Sequence, residues 1–200
     1  ALREDVLADA STFDERAIIM AESFRATEGE PRRQIRVAKA VAHLLEEMPV
    51  RIREGERLVG WHPSTHADEA LAAEIAEANA YLGRQHWRTF VSEGHMAPDY
   101  RTACRQGLGG IMQRIADAER ALRADDPQTP AKQQFYEAAR IALTGLQRLI
   151  ERYAELAQEM ADGAADPAWA DDLREIAATC RHIAQEPPRT FREAIQLGWF

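Results

Sequence analysis

Cysteine is nearly absent from these 200 residues, occurring only at positions 104 and 180. No disulfide framework can be built from Cys104 and Cys180, and a reducing compartment suits them. Lysine is as scarce, confined to Lys39 and Lys132, a bias toward arginine that carries no chemistry. Basic charge as a whole falls short, with 25 Lys and Arg against 33 Asp and Glu for a net charge of -8. Nucleic-acid phosphates and anionic membrane surfaces are therefore poor partners. Long apolar runs are missing too: none approaches the roughly 18 residues needed to cross a bilayer, and Ala1-Leu2-Arg3-Glu4-Asp5 is too acidic to open a signal peptide. The expectation is a cytoplasmic protein with no nucleic-acid and no membrane partner.

Complete catalytic signatures are lacking as well. There is no Gly-x-Ser-x-Gly, no phosphate loop and no dinucleotide glycine pattern. A di-iron bundle needs Glu-x-x-His on two helices, and none of the six histidines has a Glu three residues before it. His62 and His66 have the spacing of two ligands on a helical turn, but Pro63 follows the first and no further ligand completes the set. The expectation is no metal. Each cysteine falls on or beside an apolar helical face, where a free thiol usually acts as a small hydrophobe.

What is present is a hydrophobic fraction of 46%, enough for a real core, arranged with helical period almost throughout. Ala17, Met20, Ala21 and Phe24 recur at three and four after the possible caps Ser11 and Thr12, and Gly29 ends the run. Pro31 suits the first turn of a second helix with the stripe Ile35, Ala38, Val41, Ala42 and Leu45. Val50-Arg51-Ile52 and Arg57-Leu58-Val59 alternate around Glu54-Gly55, which predicts a small β-hairpin or two extended pieces. A third helix is expected over 68–82, with Gly83 to end it, and then a polar, aromatic loop over 84–98. Asp99 stands at the N-cap of a fourth helix reaching Leu122. Gly107, Gly109 and Gly110 interrupt that helix at about 1 kcal/mol each, which close approach of another backbone would offset. Thr129-Pro130 opens the longest helix as N-cap and N1, ending at Gly163, and Asp166-Pro167 opens another that stops at Pro187-Pro188. Thr190 and Glu193 form a capping box for a last helix. The fold class expected is mainly α, a multi-helix bundle with one small β-hairpin. Because the last run, Ile195 to Phe200, is apolar and uncapped, the chain reads as part of a longer polypeptide.

The loop over 87–100 stands apart because it gathers Trp87, Arg88, Phe90, His95, Asp99 and Tyr100 ahead of a helix, and loops on rigid helices are where binding groups concentrate. The plain alternative is that Asp99 only caps and the aromatics only pack.

The order of motifs along the chain carries a resemblance. Glu15-Arg16-Ala17, Glu22-Ser23-Phe24, Thr27-Glu28-Gly29-Glu30-Pro31, Arg36-x-x-Lys39-Ala40 and Ile52-Arg53-x-Gly55-Glu56-x-Leu58-Val59-Gly60 come first. Gly94-His95-x-x-Pro98-Asp99-Tyr100, Gly107-Leu108-x-Gly110-Ile111, Phe135-Tyr136-Glu137-Ala138, Glu151-Arg152-Tyr153-Ala154 and Pro187-Pro188-Arg189-Thr190-Phe191-x-Glu193-Ala194-x-Gln196-x-x-Trp199-Phe200 follow. Together they resemble the N-terminal region of glycyl radical enzymes of the pyruvate formate-lyase type. The likeness is to the dehydratase and lyase branches, some bearing the name formate acetyltransferase, more than to pyruvate formate-lyase itself.

The resemblance implies that residues 1–200 are the N-terminal helical part of a larger enzyme. Its ten-stranded α/β barrel would hold a catalytic Cys and a radical Gly, both beyond residue 200. It implies a bond-cleaving lyase or dehydratase working on a small polar substrate, inactive as the 200-residue piece alone. The cofactor implied is a protein-based glycyl radical, installed by a radical S-adenosylmethionine activating enzyme with an iron–sulfur cluster. A homodimer of the parent is also implied, in the cytoplasm or in a bacterial microcompartment within it. By the same likeness His95 would hydrogen-bond a substrate hydroxyl, Asp99 would lie near the polar end of the substrate, and Arg88 and Phe90 would line the pocket. One departure stands out: between Gly60 and Gly94 the dehydratases usually carry a longer stretch with a Pro-Glu motif. A different class of function, a helical interaction or scaffold module without chemistry, is the alternative expectation.

Overall fold

A computed structural model describes Glu4 and residues 15–60, 69–87 and 98–200. Seven helices follow one another in the described residues: α1 (Arg16–Ala26), α2 (Arg33–Glu47), α3 (Glu69–Arg84), α4 (Tyr100–Arg120), α5 (Thr129–Gly163), α6 (Pro167–Ile183) and α7 (Phe191–Trp199). The expected helices are all present, and the start signals act as anticipated in three places. Asp166 accepts from the Ala168 N–H, Thr190 accepts from the Glu193 N–H, and Asp99 accepts from the Thr102 N–H. At α5 the detail differs. Thr129 is the first helical residue and not its cap, because its hydroxyl donates to the Arg123 carbonyl of the preceding turn. At the end of α3 Gly83 stays helical, and the left-handed turn falls on His86, with φ of 56°.

At 35 residues, α5 is roughly 50 Å long and serves as the spine. It packs on α2, α4 and α6, while α1 packs on α2 and α3, and α7 bridges α6 and α4. Two apolar clusters result. The larger joins α5 and α6 through Leu149, Ile150, Tyr153, Leu173, Ile176 and Ile183, all essentially without solvent exposure. Each such aliphatic side chain contributes about 2 kcal/mol of burial. The smaller joins α1, α2 and α3 through Ala17, Ala21, Phe24, Ala40, Ala78 and Leu82. The two meet at Leu44 of α2, which packs against both; nearby Gly145 of α5 crosses α2, where a Cβ would stand 2.6 Å from the Ala42 Cα, so only glycine permits that approach.

The expected β-hairpin does not form, and no strand occurs among the described residues. Its turn is real, since the Glu56 N–H donates to the Arg53 carbonyl at 3.0 Å and Gly55 takes φ of 84°. The two arms simply pair with helices. The Arg51 N–H goes to the Tyr153 hydroxyl of α5. Val59 is read on both backbone groups by Gln196 of α7, its N–H donating to Oε1 at 2.9 Å and its carbonyl accepting from Nε2 at 2.6 Å. A side-chain amide has the donor and acceptor of a peptide group, so a fully buried Gln196 replaces the neighbouring strand.

Candidate functional site

The aromatic loop is anchored at both ends by different parts of the fold. At its start, Arg33 of α2 donates to the Gln85 carbonyl at 2.8 Å and to the His86 carbonyl at 2.9 Å. Arg36, one turn on, donates to the Phe24 carbonyl at 2.9 Å and to the Gln85 side chain at 3.2 Å. These guanidinium groups satisfy carbonyls left over at the ends of α1 and α3. The Trp87 N–H closes the turn onto the Leu82 carbonyl at 2.9 Å, and its ring tilts on Phe24 with centroids 5.9 Å apart.

At its far end, both carboxylate oxygens of Asp99 are engaged by Thr102, Oδ1 by the backbone N–H at 3.0 Å and Oδ2 by the hydroxyl at 2.6 Å. The Thr102 hydroxyl, then the backbone N–H, hold the Asp99 carboxyl below its ordinary value, so it is ionised at neutral pH. Asp99 is exposed, and each oxygen keeps acceptor capacity beyond Thr102. Of the residues the sequence singled out, Asp99 is thus placed as a helix cap with a charged, accessible face. His95, Arg88 and Phe90 lie outside the described residues, as do His62 and His66.

The helix that carries Asp99 is bent. Gly107 has φ of 64° and ψ of 174° inside α4, so the run Tyr100–Gln106 points differently from the run that packs on α5. The glycines do what their sequence cost requires. A Cβ on Gly107 would lie 2.5 Å from Glu186 C and Pro187 N, and one on Gly109 2.8 Å from the Gln185 carbonyl oxygen. The Pro187-Pro188 connection after α6 presses directly on the bend. It is held in turn by Glu193, whose buried carboxylate accepts from the Arg189 N–H at 2.5 Å and from the Arg189 guanidinium at 2.6 Å. That guanidinium keeps the Glu193 carboxyl down at about 2.

Other reactive groups are inert or dispersed. Cys180 is fully buried, and desolvation pushes its thiol up to about 12, where it is no nucleophile. Cys104 is partly exposed on the first run of α4. No three His, Cys, Asp or Glu side chains gather as a metal site among the described residues. No helix of the described residues is long and apolar enough to cross a membrane. Two apolar grooves of about 450 and 470 Å³ flank Phe135, one against α2 and one against α4; Asp99 lines neither.

Residues 61–200 match the pyruvate formate lyase-like family model. The chain belongs to that family. The sequence resemblance to glycyl radical enzymes is thereby established over most of the chain, the aromatic loop included. The (2S)-3-sulfopropanediol dehydratase of Klebsiella oxytoca is 32% identical over 130 residues, 65% of this chain and 15% of that protein. Among solved structures, the glycerol-bound B12-independent glycerol dehydratase of Clostridium butyricum superposes with a TM-score of 0.82 at 24% identity. A glycyl radical enzyme of Archaeoglobus fulgidus superposes with a TM-score of 0.76 at 24% identity. These cover 92% and 98% of this chain but 30% and 33% of theirs, so the chain spans about a third or less of the relatives it matches. The part of their fold that superposes is the fold of this pyruvate formate lyase-like chain.

Several residues that carried the family resemblance turn out to hold the fold: Arg36 as a helix-end staple, Gly107 as the bend, Glu193 as the clasp and Gln196 as the surrogate strand. The sequence showed the glycine cluster and the Thr190 cap, but the reciprocal half of the capping box differs, because the Glu193 carboxylate accepts from the Arg189 N–H one residue earlier. The sequence showed nothing of Gln147 or of the partner of Gln196, since a glutamine on a helix is by itself an ordinary surface residue.

Proposed function

We propose that this chain is the helical N-terminal region of a longer glycyl radical lyase or dehydratase acting on a small polar substrate, and that it contributes one substrate-facing loop. The single observation that carries the reading is the family match over 61–200, which includes the Gly94-His95-x-x-Pro98-Asp99-Tyr100 segment. In this reading His95 donates a hydrogen bond to a substrate hydroxyl, the ionised Asp99 holds the polar end, and Arg88 and Phe90 line the pocket. Loss of a hydroxyl needs a group that polarises or protonates the leaving oxygen, and an imidazole N–H can serve as that donor. This reading puts the family's radical Gly motif and Cys loop in a polypeptide downstream of residue 200. When present, the glycyl radical supplies the one-electron chemistry, and a radical S-adenosylmethionine enzyme with an iron–sulfur cluster installs it. The parent works as a homodimer in the cytoplasm, or in a microcompartment within it. Phe135, Phe191, Ile195 and Trp199 are exposed, which suits burial against further chain in this reading and against a partner in the reading of a helical interaction or scaffold module.

The downstream reading frame is the first test: a Gly-Cys loop and a C-terminal Arg-Val-x-Gly-Tyr-like motif are expected, and a stop codon soon after Phe200 would end the proposal. In the full-length enzyme, anaerobic activation should give a doublet in electron spin resonance, and His95→Ala should lower turnover roughly 100-fold, the usual scale for losing a positioned acid. Full turnover in His95→Ala would remove the role given to that residue.

A further inference from the structure

The bend in α4 is not fixed by α4. Beyond Gly107 the helical ladder is interrupted: the Gly109 N–H, whose partner in a continuous helix is the Arg105 carbonyl, donates instead to the Gln185 carbonyl at 2.8 Å. A glycine is free over a wide range of φ and ψ, so Gly107 permits the bend without choosing its angle. The choice falls to whatever holds Gln185.

That holder is Gln147 of α5. Its side-chain nitrogen donates to the Ala184 carbonyl at 3.0 Å and to the Gln185 Oε1 at 2.9 Å, which uses both of its protons. Gln147 is buried, and it rises from a part of α5 that cannot shift, two residues after Gly145 in its tight crossing with Ala42. The same Gln185 Oε1 lies 3.4 Å from where a Gly109 Cβ would stand, so the clamp reaches α4 through the side chain of Gln185 as well as through its backbone. No slack remains on the α4 side, given the 2.5 Å and 2.8 Å approaches at Gly107 and Gly109. The run Tyr100–Gln106 then leans on α7, where Gly198 leaves room for the Tyr100 ring.

We infer that Gln147 is a positioning residue: by clamping Ala184 and Gln185 it sets the angle of α4 at Gly107 and so the direction in which the first run presents Asp99. The functional consequence rests on the reading of Asp99 as a substrate-side group; the geometric claim does not. Seven residues of helix span about 10 Å, so a 20° change of bend moves Asp99 by roughly 3 to 4 Å, enough to misplace a charge relative to a small substrate.

The experiment is a distance measurement on the 200-residue chain by double electron–electron resonance. Nitroxides go on Arg105→Cys in the first run and Glu159→Cys on α5, in a Cys104→Ser background; Cys180 is buried and stays unlabelled. The parent pair should give one narrow distance. Gln147→Leu, which keeps the volume and removes the donor, should shift or broaden it by roughly 3 Å or more, and Gln185→Met, which keeps the backbone contact, should do so by less. Leu173→Ala serves as the control, since it lowers stability from within the core of α6 without touching the clamp. An unchanged distance in folded Gln147→Leu, or an equal broadening in Leu173→Ala, overturns the inference. Failure of the functional reading is seen elsewhere, as full-length kinetics indifferent to Asp99→Asn, and leaves the distance result standing.

Discussion

The two layers of this molecule solve the same problem in opposite ways. In the layer of α1, α2 and α3, helix ends are tied by charged side chains at the rim: Arg33 and Arg36 on carbonyls, Arg25 on Glu77 at 2.7 Å, and Glu28 accepting from the Tyr81 hydroxyl at 2.7 Å. In the layer of α4 to α7, the central ties are neutral and buried, namely Gln147 on Ala184, Gln196 on Val59, and glycines pressed against backbone, and the charged clasp there, Glu193 on Arg189, keeps its carboxylate buried. Water competes for a rim arginine and not for a buried amide. The first layer should therefore yield gradually to substitution and salt, and the second abruptly. The aromatic loop begins on the first layer, at Trp87, and ends on the second, at Asp99.

Gly107→Ala is the hardest blow to this contrast. The added Cβ meets backbone, not a flexible side chain, and it sits at a left-handed φ. A loss of about 3 kcal/mol or more in urea unfolding is expected, against less than about 1 kcal/mol for Gly163→Ala, where nothing lies within 4 Å. Equal losses at the two glycines would show that the bend is not packed as described.

Glu193 gives the contrast a pH signature. Its folded pKa of about 2 lies below the ordinary glutamate value of 4.5, so its stabilisation is fully present above about pH 4.5 and is lost as pH falls toward 2. Glu193→Gln should flatten the acid limb of the stability profile by about 1 to 2 kcal/mol, a figure reduced because Arg189 is largely exposed. Superimposable acid limbs for wild type and Glu193→Gln would rule the clasp out.

Arg36→Met sharpens the other side. The guanidinium lies over the Phe24 ring at 5.0 Å and bonds its carbonyl, so losing it should cost about 1 kcal/mol. Methionine keeps part of the packing. A loss above 3 kcal/mol in thermal or urea unfolding would place Arg36 with the buried amides and dissolve the distinction between the layers.

The helices were legible because apolar side chains at three and four, with Asp, Thr and Pro at the starts, are local signals read by local physics. The glycine cluster also spoke correctly, since repeated glycine inside a helix is costly unless another backbone needs the room. The hairpin expectation fails for a reason of the same kind. Alternation of Ile52, Leu58 and Val59 about Gly55 specifies an extended, turning chain, but the partner of an extended chain is a long-range fact. Here the partners are Tyr153 and Gln196, about 100 and 137 residues away. The candidate loop was legible only as a cluster of types and a family likeness, and the geometry adds its two anchors.

The smallest expected effect concerns Asp99, where stability and function should part. Asn caps nearly as well as Asp and still accepts from the Thr102 N–H through its carbonyl oxygen, so Asp99→Asn should change stability by only a few tenths of a kcal/mol. Asp99→Ala removes both acceptors and should cost about 1 kcal/mol. If Asp99 holds the polar end of a substrate, Asp99→Asn in the activated full-length enzyme should raise KM several-fold with little change in melting temperature, because the charge is lost while the cap remains. Kinetics unchanged in Asp99→Asn, with a lowered melting temperature only in Asp99→Ala, would make Asp99 a cap alone. Its ionised, exposed carboxylate would then owe everything to Thr102, and the substrate-facing role of the segment would rest on His95.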